Sequence, residues 1–138
     1  TLTNLGAAYY QLDENAKARD MLERALAIKE RAYGRDHPEV AITLGNLGDL
    51  YRVLGDNSKA QDMLERSLVI KERAYGRDHP EVALSLANLG LAYVALGDKP
   101  KALESLERAR AIFESAYGPD HPHAEFCRAN VEAIAAAD

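Results

Sequence analysis

The sequence predicts an all-α fold, a right-handed α-solenoid of three helical hairpins followed by a C-terminal capping helix. Three observations lead to this prediction. First, Gly34, Gly76 and Gly118 are spaced 42 residues apart. Second, the segment Ala32–Ala41 returns unchanged as Ala74–Ala83. Third, the apolar residues between these points recur every three to four positions, which is the spacing of one face of an α-helix.

The period divides the chain into three repeats and a remnant, which together form a single repeat domain over residues 1–138. The repeats cover residues 1–42, 43–84 and 85–126, and the remnant covers 127–138. The first two repeats are identical at about 70% of their positions. Each repeat is interpreted as two helices, so we expect seven helices, at about 1–12, 16–33, 38–54, 58–75, 80–96, 99–117 and 121–136. Because the chain opens partway through a repeat, we expect it to be a piece of a longer protein.

The helix boundaries are predicted from recurrent polar segments. In Asp36-His37-Pro38-Glu39 the aspartate precedes the glutamate by three residues, which predicts a capping box at the start of a first helix. Gly55 ends that helix, and Gly76 ends the helix that follows. Lys71 and Arg73 lie in the last turns of this second helix. We interpret them as cations at the carbonyl end of a helix, with an anion site as the alternative.

A glycine recurs inside each first helix, at positions 6, 48 and 90. Glycine in a helix interior costs about 1 kcal/mol relative to alanine, so each one requires a packing reason. We expect these glycines to face the recurrent alanine of the second helix at positions 18, 60 and 102, where they allow the two backbones to approach closely.

The composition is that of a soluble protein with a buried core. The 138 residues are 47% hydrophobic and 28% charged, and the net charge is −5. This balance argues against nucleic acid and membrane as partners, because both favour a concentrated basic surface. No apolar run approaches the roughly 20 residues of a membrane span, and no secretory signal is recognisable, so we expect a cytoplasmic location. Cys127 is the only cysteine and is expected in the core.

The pattern resembles the tetratricopeptide repeat (TPR). In the second repeat the first-helix signature is matched by Leu44, Leu47, Gly48 and Tyr51, and the second-helix signature by Ala60, Leu64 and Ser67. The usual period of that family is 34 residues, whereas here it is 42, so the second helix continues for about two more turns. This longer form is similar to the kinesin-light-chain type and to 42-residue repeats of bacterial multidomain proteins. HEAT-type repeats are the alternative fold, but they do not account for these signatures.

The resemblance implies a non-enzymatic protein–protein interaction scaffold whose first helices line a concave face that binds an extended peptide. Asparagine recurs at one position of every first helix, at Asn4, Asn46, Asn88 and Asn130. An amide side chain both donates and accepts hydrogen bonds, which suits a peptide main chain. In related arrays asparagines at this place bind main chain. The alternative is that these side chains bond within the array or face water.

Other candidates for this peptide-binding face lie three and six residues beyond the asparagines. They include Asp49 and Leu91, then Tyr10 and Arg52. Arrays of this family that clamp a C-terminal carboxylate use several lysines and arginines here. Of these positions only Arg52 is basic, so we do not expect a clamp for chaperone tails.

No catalytic site, metal site or cofactor site is predicted. His37, His79 and His121 recur at helix starts, but stacked repeats place them about 10 Å apart, too far to share one metal ion. We therefore expect them to have structural roles. Two alternatives to peptide binding remain: a self-assembling array, and a docking or regulatory segment of a larger enzyme or motor-associated protein. Weak end-to-end self-association is expected, because the first helix carries Leu2, Leu5, Tyr9 and Leu12 without a charge before Asp13.

Overall fold

The computed structural model describes residues 2–137, and the side chains of residues 13–137. Within this part of the chain every regular element is an α-helix. Six helices follow one another: α1 (Leu2–Tyr33), α2 (Pro38–Val53), α3 (Asn57–Tyr75), α4 (Pro80–Ala95), α5 (Lys99–Tyr117) and α6 (Pro122–Ala136). Each helix packs against the next one along the chain, which is the arrangement of a solenoid. The boundaries of α2 to α6 agree with the prediction to within one residue.

The prediction of seven helices is wrong, because the segments expected at 1–12 and 16–33 form the single helix α1 of 32 residues. The other two hairpins turn at Gly55 and Gly97, whose φ angles are +90° and +81°. The equivalent residue of the first repeat is Asp13. A residue with a Cβ atom is strained at such a φ angle, and no described residue other than glycine adopts one. The described chain therefore contains two closed hairpins, α2–α3 and α4–α5, and not three.

The predicted capping box is also wrong in its detail, because histidine and not aspartate caps α2, α4 and α6. The Nδ1 atom of each histidine accepts a hydrogen bond from the backbone N–H two residues later, at 3.0–3.1 Å. Each ring also stacks on the tyrosine that ends the preceding helix, with ring centroids 4.5–5.0 Å apart. The capping histidines are His37, His79 and His121. The Asp-x-x-Glu spacing alone could not show whether the aspartate or the histidine that follows it caps the helix.

The glycines inside the first helices allow a close helix contact, as expected, but the leucine of the second helix is the closer partner. A Cβ atom built on Gly48 would lie 2.6 Å from Cγ of Leu64, whereas the carbonyl oxygen of Ala60 is 3.4 Å away. A Cβ atom on Gly90 would lie 2.7 Å from Cγ of Leu106. Both leucines are completely buried. The contact of glycine with leucine therefore sets the distance between the two helices of each closed hairpin.

Polar contacts that repeat after 42 residues join neighbouring repeats. The hydroxyl group of Tyr51 donates a hydrogen bond to Glu23 at 2.6 Å, and that of Tyr93 donates to Glu65 at 2.8 Å. Burial, together with the bond to Glu23, raises the pKa of Tyr51 to about 12. Burial and the bond to Glu65 likewise raise the pKa of Tyr93. Each phenol therefore stays protonated and remains a hydrogen-bond donor at neutral pH.

Substitution of Gly48 by alanine tests the close helix contact. We expect Gly48→Ala to lower the free energy of unfolding by about 1–3 kcal/mol, because the new methyl group overlaps the buried Leu64 side chain. Gly45→Ala is the matched control on the same helix, since its Cβ atom would meet nothing closer than 3.6 Å. The control should be neutral or stabilising by up to about 1 kcal/mol through helix propensity. Urea denaturation followed by circular dichroism measures both values, and equal effects would contradict the assignment.

Substitution of His79 tests the histidine cap. We expect His79→Ala to destabilise the fold by about 1 kcal/mol, because the backbone N–H of Glu81 loses its acceptor. His79→Asn should restore most of this loss, since an asparagine oxygen can accept the same bond. If asparagine and alanine give the same free energy of unfolding, the stacking on Tyr75, and not the cap, accounts for the contribution of His79.

Candidate peptide-binding grooves

A groove of about 270 Å³ lies between α2 and α4, with α3 beneath it; we name it the α2–α4 groove. The side chains that matter for binding are Asn46 and Asp49 from α2, Lys71 from α3, and Glu81, Ser85 and Asn88 from α4. Asn46 is exposed and Asn88 is half-buried. Two of the predicted asparagines therefore line the same groove.

A second, more apolar groove of about 570 Å³ lies between the C-terminal half of α4 and α6; we name it the α4–α6 groove. It is lined by Arg52, Leu91 and Asn130 from the predicted set, together with Val94, Ala95 and Ile134. The side-chain amide of Asn130 donates to the carbonyl oxygen of Phe126 at 2.8 Å, within its own helix. Asn4 and Tyr10 lie outside the residues whose side chains are described.

An ion pair connects the two grooves. A guanidinium nitrogen of Arg52 lies 2.7 Å from Oδ1 of Asp49, one helical turn away on α2. Asp49 lines the α2–α4 groove and Arg52 lines the α4–α6 groove. The Nε atom of Arg52 is buried and has no hydrogen-bond partner in the protein. The charges of the two predicted residues thus largely neutralise each other, and one donor remains for a further acceptor.

The floor of the α2–α4 groove holds a buried cation, Lys71, for which the sequence left an anion site as the alternative to a helix-end role. The side chain of Lys71 is only 10% exposed, and its Nζ atom lies 3.9 Å from Oε2 of Glu81. That distance is the long limit of an ion pair, and the Glu81 carboxylate is half exposed. Burial lowers the pKa of the Lys71 ammonium, and Glu81 opposes this effect. The positive charge of Lys71 is therefore weakly compensated within the protein.

Ser85 and Gly45 line the same groove as Lys71. Ser85 is 2% exposed, and its buried hydroxyl group has no hydrogen-bond partner within the protein. Gly45 leaves the space above the ammonium open, since a Cβ atom at this position would lie 3.9 Å from Nζ. A signal for the site was present in the sequence. The repeat equivalents of Lys71 are Lys29 and Phe113, so the third repeat replaces the cation with a buried aromatic ring.

Metal binding and thiol chemistry were the other candidates among the described residues. No group of three or more His, Cys, Asp or Glu side chains in this part of the chain could hold a metal ion. Cys127 is buried, and burial raises the pKa of its thiol to about 11. The thiol is therefore protonated at neutral pH and is a poor nucleophile. None of the helices searched is long and apolar enough to span a membrane.

Stacked helical hairpins with binding grooves between their first helices define the class of α-solenoid repeat proteins. The sequence model of the tetratricopeptide repeat family matches residues 1–73 and 54–115. The chain therefore belongs to the tetratricopeptide repeat family. A search of curated proteins gives no match.

Solved structures with the same fold include nearly identical TPR-like repeats assigned to a kinesin light chain of Podosopora anserina, and a point variant of that same protein. Both align with a TM-score of 0.83 and 25% identity over 95% of this chain. BtubC (BKLC) from P. vanneervenii aligns with a TM-score of 0.67 and 22% identity over 96% of this chain. The chain spans 62% of the length of the first two structures and 61% of the third. Repeats of this family are generally protein–protein interaction modules without catalytic activity.

Proposed function

We propose that this chain is a non-enzymatic interaction module that binds an extended peptide segment along its concave face, with an acidic side chain of the peptide above Lys71. The observation that carries the proposal is the weakly compensated ammonium of Lys71 in the same groove as Ser85, whose hydroxyl has no hydrogen-bond partner in the protein. A carboxylate in the α2–α4 groove accepts a hydrogen bond from the Lys71 ammonium, and Ser85 on the wall of the same groove can turn its hydroxyl toward the ligand. Hydrogen bonds to charged groups are the strong ones in proteins, so this contact anchors the peptide.

Asn46 and Asn88 supply contacts that do not depend on the peptide sequence. Both line the α2–α4 groove near Lys71. Each amide offers donors and an acceptor to the peptide main chain, whatever side chains the peptide carries. The lysine selects for an acidic residue, and the asparagines hold the backbone beside it.

The α4–α6 groove extends the recognition to an apolar residue. Ser85 of one groove and Leu91 of the other are six residues apart on α4, or about 9 Å along the helix axis. An extended peptide advances about 3.3 Å per residue, so about three residues cover this distance. We therefore expect the preferred ligand to carry an acidic residue and, about three positions away, an aliphatic or aromatic residue that packs on Leu91 and Val94.

The proposal applies equally to an independent adaptor and to a docking segment of a larger enzyme or motor-associated protein. The chain spans about three-fifths of the related structures, two of which are assigned to a kinesin light chain. The groove residues lie on α2 to α6, so binding requires no other domain. A cytoplasmic location, and the absence of nucleic acid and membrane partners, remain part of the proposal.

Peptide selection followed by calorimetry tests the anchor. A random ten-residue display library is selected on the wild-type protein, and the Kd of an enriched peptide is measured. We expect an acidic residue in the consensus, and at least tenfold weaker binding to Lys71→Met. Replacing the acidic residue of the peptide with its amide should weaken binding to the wild type but hardly change binding to Lys71→Met, because the two changes remove the same contact.

Lys29→Met is the matched control, since Lys29 is the equivalent residue of the first repeat but is more exposed than Lys71 and lines neither groove. This control should leave the Kd unchanged. The double variant Asn46→Ala/Asn88→Ala tests the main-chain contacts and should weaken every selected peptide by a similar factor. A consensus without an acidic residue would remove Lys71 from the site. Unchanged binding by the double variant would remove the asparagines.

A further inference from the structure

One face of α1 is more exposed than the equivalent positions of the closed hairpins. We define the open α1 face as Ala18, Met21, Leu22 and Ala25. Met21 is 71% exposed, and the other three are only partly buried. The hairpin equivalents of Ala18, Leu22 and Ala25 are covered completely: Ala60, Ala102, Leu64, Leu106, Ser67 and Ala109 are all 0% exposed. The open α1 face therefore has the sequence of a buried surface without the helix that buries it.

The repeat register identifies the segment that fits this face. In the closed hairpins Gly48 contacts Leu64 and Gly90 contacts Leu106. The equivalent pair in the first repeat is Gly6 and Leu22. Both lie on the continuous helix α1, 16 residues and so about 24 Å apart. Within one straight α1 they cannot meet, although residues 2–12 carry the full first-helix signature.

We propose that two copies of the chain exchange these segments, so that residues 2–12 of each copy pack antiparallel on the open α1 face of the other. Gly6 of one copy then contacts Leu22 of the second copy, and the reverse contact forms at the same time. The midpoint of this register is residue 14, so a two-fold axis passes beside Glu14. The contact is self-complementary and closes after two copies.

The exchange lets residues 2–12, which carry the first-helix signature, pack against a second helix without a glycine at the turn. A hairpin folded back within one chain needs a sharp turn at Asp13, where the other hairpins use glycines with positive φ. The exchanged pair keeps α1 straight through this point and avoids that strain. Where the two α1 helices cross, Asp13 and Glu14 of both copies approach, each held by Lys17 at 3.3 and 3.9 Å. These groups are exposed, so added salt screens the like charges and should strengthen the dimer.

Disulfide trapping tests the exchange directly. The variant Gly6→Cys/Leu22→Cys is made in a Cys127→Ala background and oxidised at low protein concentration. We expect a covalent dimer on a non-reducing gel. The variant Gly48→Cys/Leu64→Cys in the same background is the matched control, because its two positions lie in one closed hairpin and should give only a cross-linked monomer. A cross-linked monomer for the first variant, or no cross-link in a protein that is folded by circular dichroism, overturns the proposal.

Sedimentation velocity provides an independent measurement on chains without new cysteines. The wild type should reach the mass of a dimer and stop there, since the exchange closes. Asp13→Gly supplies the turn residue of the other repeats and should shift the protein to a monomer, whereas the control Asp13→Ala should remain dimeric. A wild type that stays monomeric at its highest soluble concentration overturns the proposal. A mass that grows beyond two copies, as end-to-end stacking would give, overturns it as well.

Discussion

Whether a repeat of this chain closes into a hairpin depends on the backbone angle of one residue. Gly55 and Gly97 adopt positive φ values, and after each of them the chain reverses so that the second helix packs against the first. Only that reversal brings Gly48 onto Leu64 and Gly90 onto Leu106. The burial of the second helices and the position of the grooves follow from this packing. In the first repeat Asp13 takes the place of the glycine, and α1 continues through it without reversing.

Much of the fold could be predicted from the sequence, because the same pattern of apolar and turn residues recurs in each 42-residue repeat. The five helices α2 to α6 begin and end within one residue of the predicted positions. The error at α1 came from the same periodicity. About 70% identity between the first two repeats favoured the same hairpin in both, although the turn residue is among the few positions that differ. A single residue that does not favour the backbone angle of the turn can therefore prevent the hairpin, even when most other positions of the repeat are identical.

The candidate site could be predicted only in part. The asparagine positions follow from helical phase, and two of them do line one groove. The sequence left an anion site at Lys71 only as an alternative, because the burial of this residue on the groove floor depends on α4 packing over α3. The missing partner of Ser85 is likewise a property of the packed structure. Lys71 also carries a cost, since a buried ammonium with a distant counter-ion destabilises the folded chain. The equivalent residue of the third repeat, Phe113, is buried without this cost. The fold can therefore accommodate an apolar side chain at the position that Lys71 occupies.

The proposed peptide binding and the proposed exchange of residues 2–12 are compatible because they use different helices. Neither groove is lined by a residue of α1, whereas the exchange involves α1 alone. The contacts that join the proposed pair therefore use no residue of either groove, and the two-fold axis beside Glu14 relates the two sets of grooves. Two identical sites on one particle convert the second binding event into an intramolecular one, so weak peptide contacts add up when the partner is itself dimeric or repetitive. Under the proposed function one lysine is the single anchor, so pairing raises an affinity that the small number of charged contacts in the groove otherwise limits.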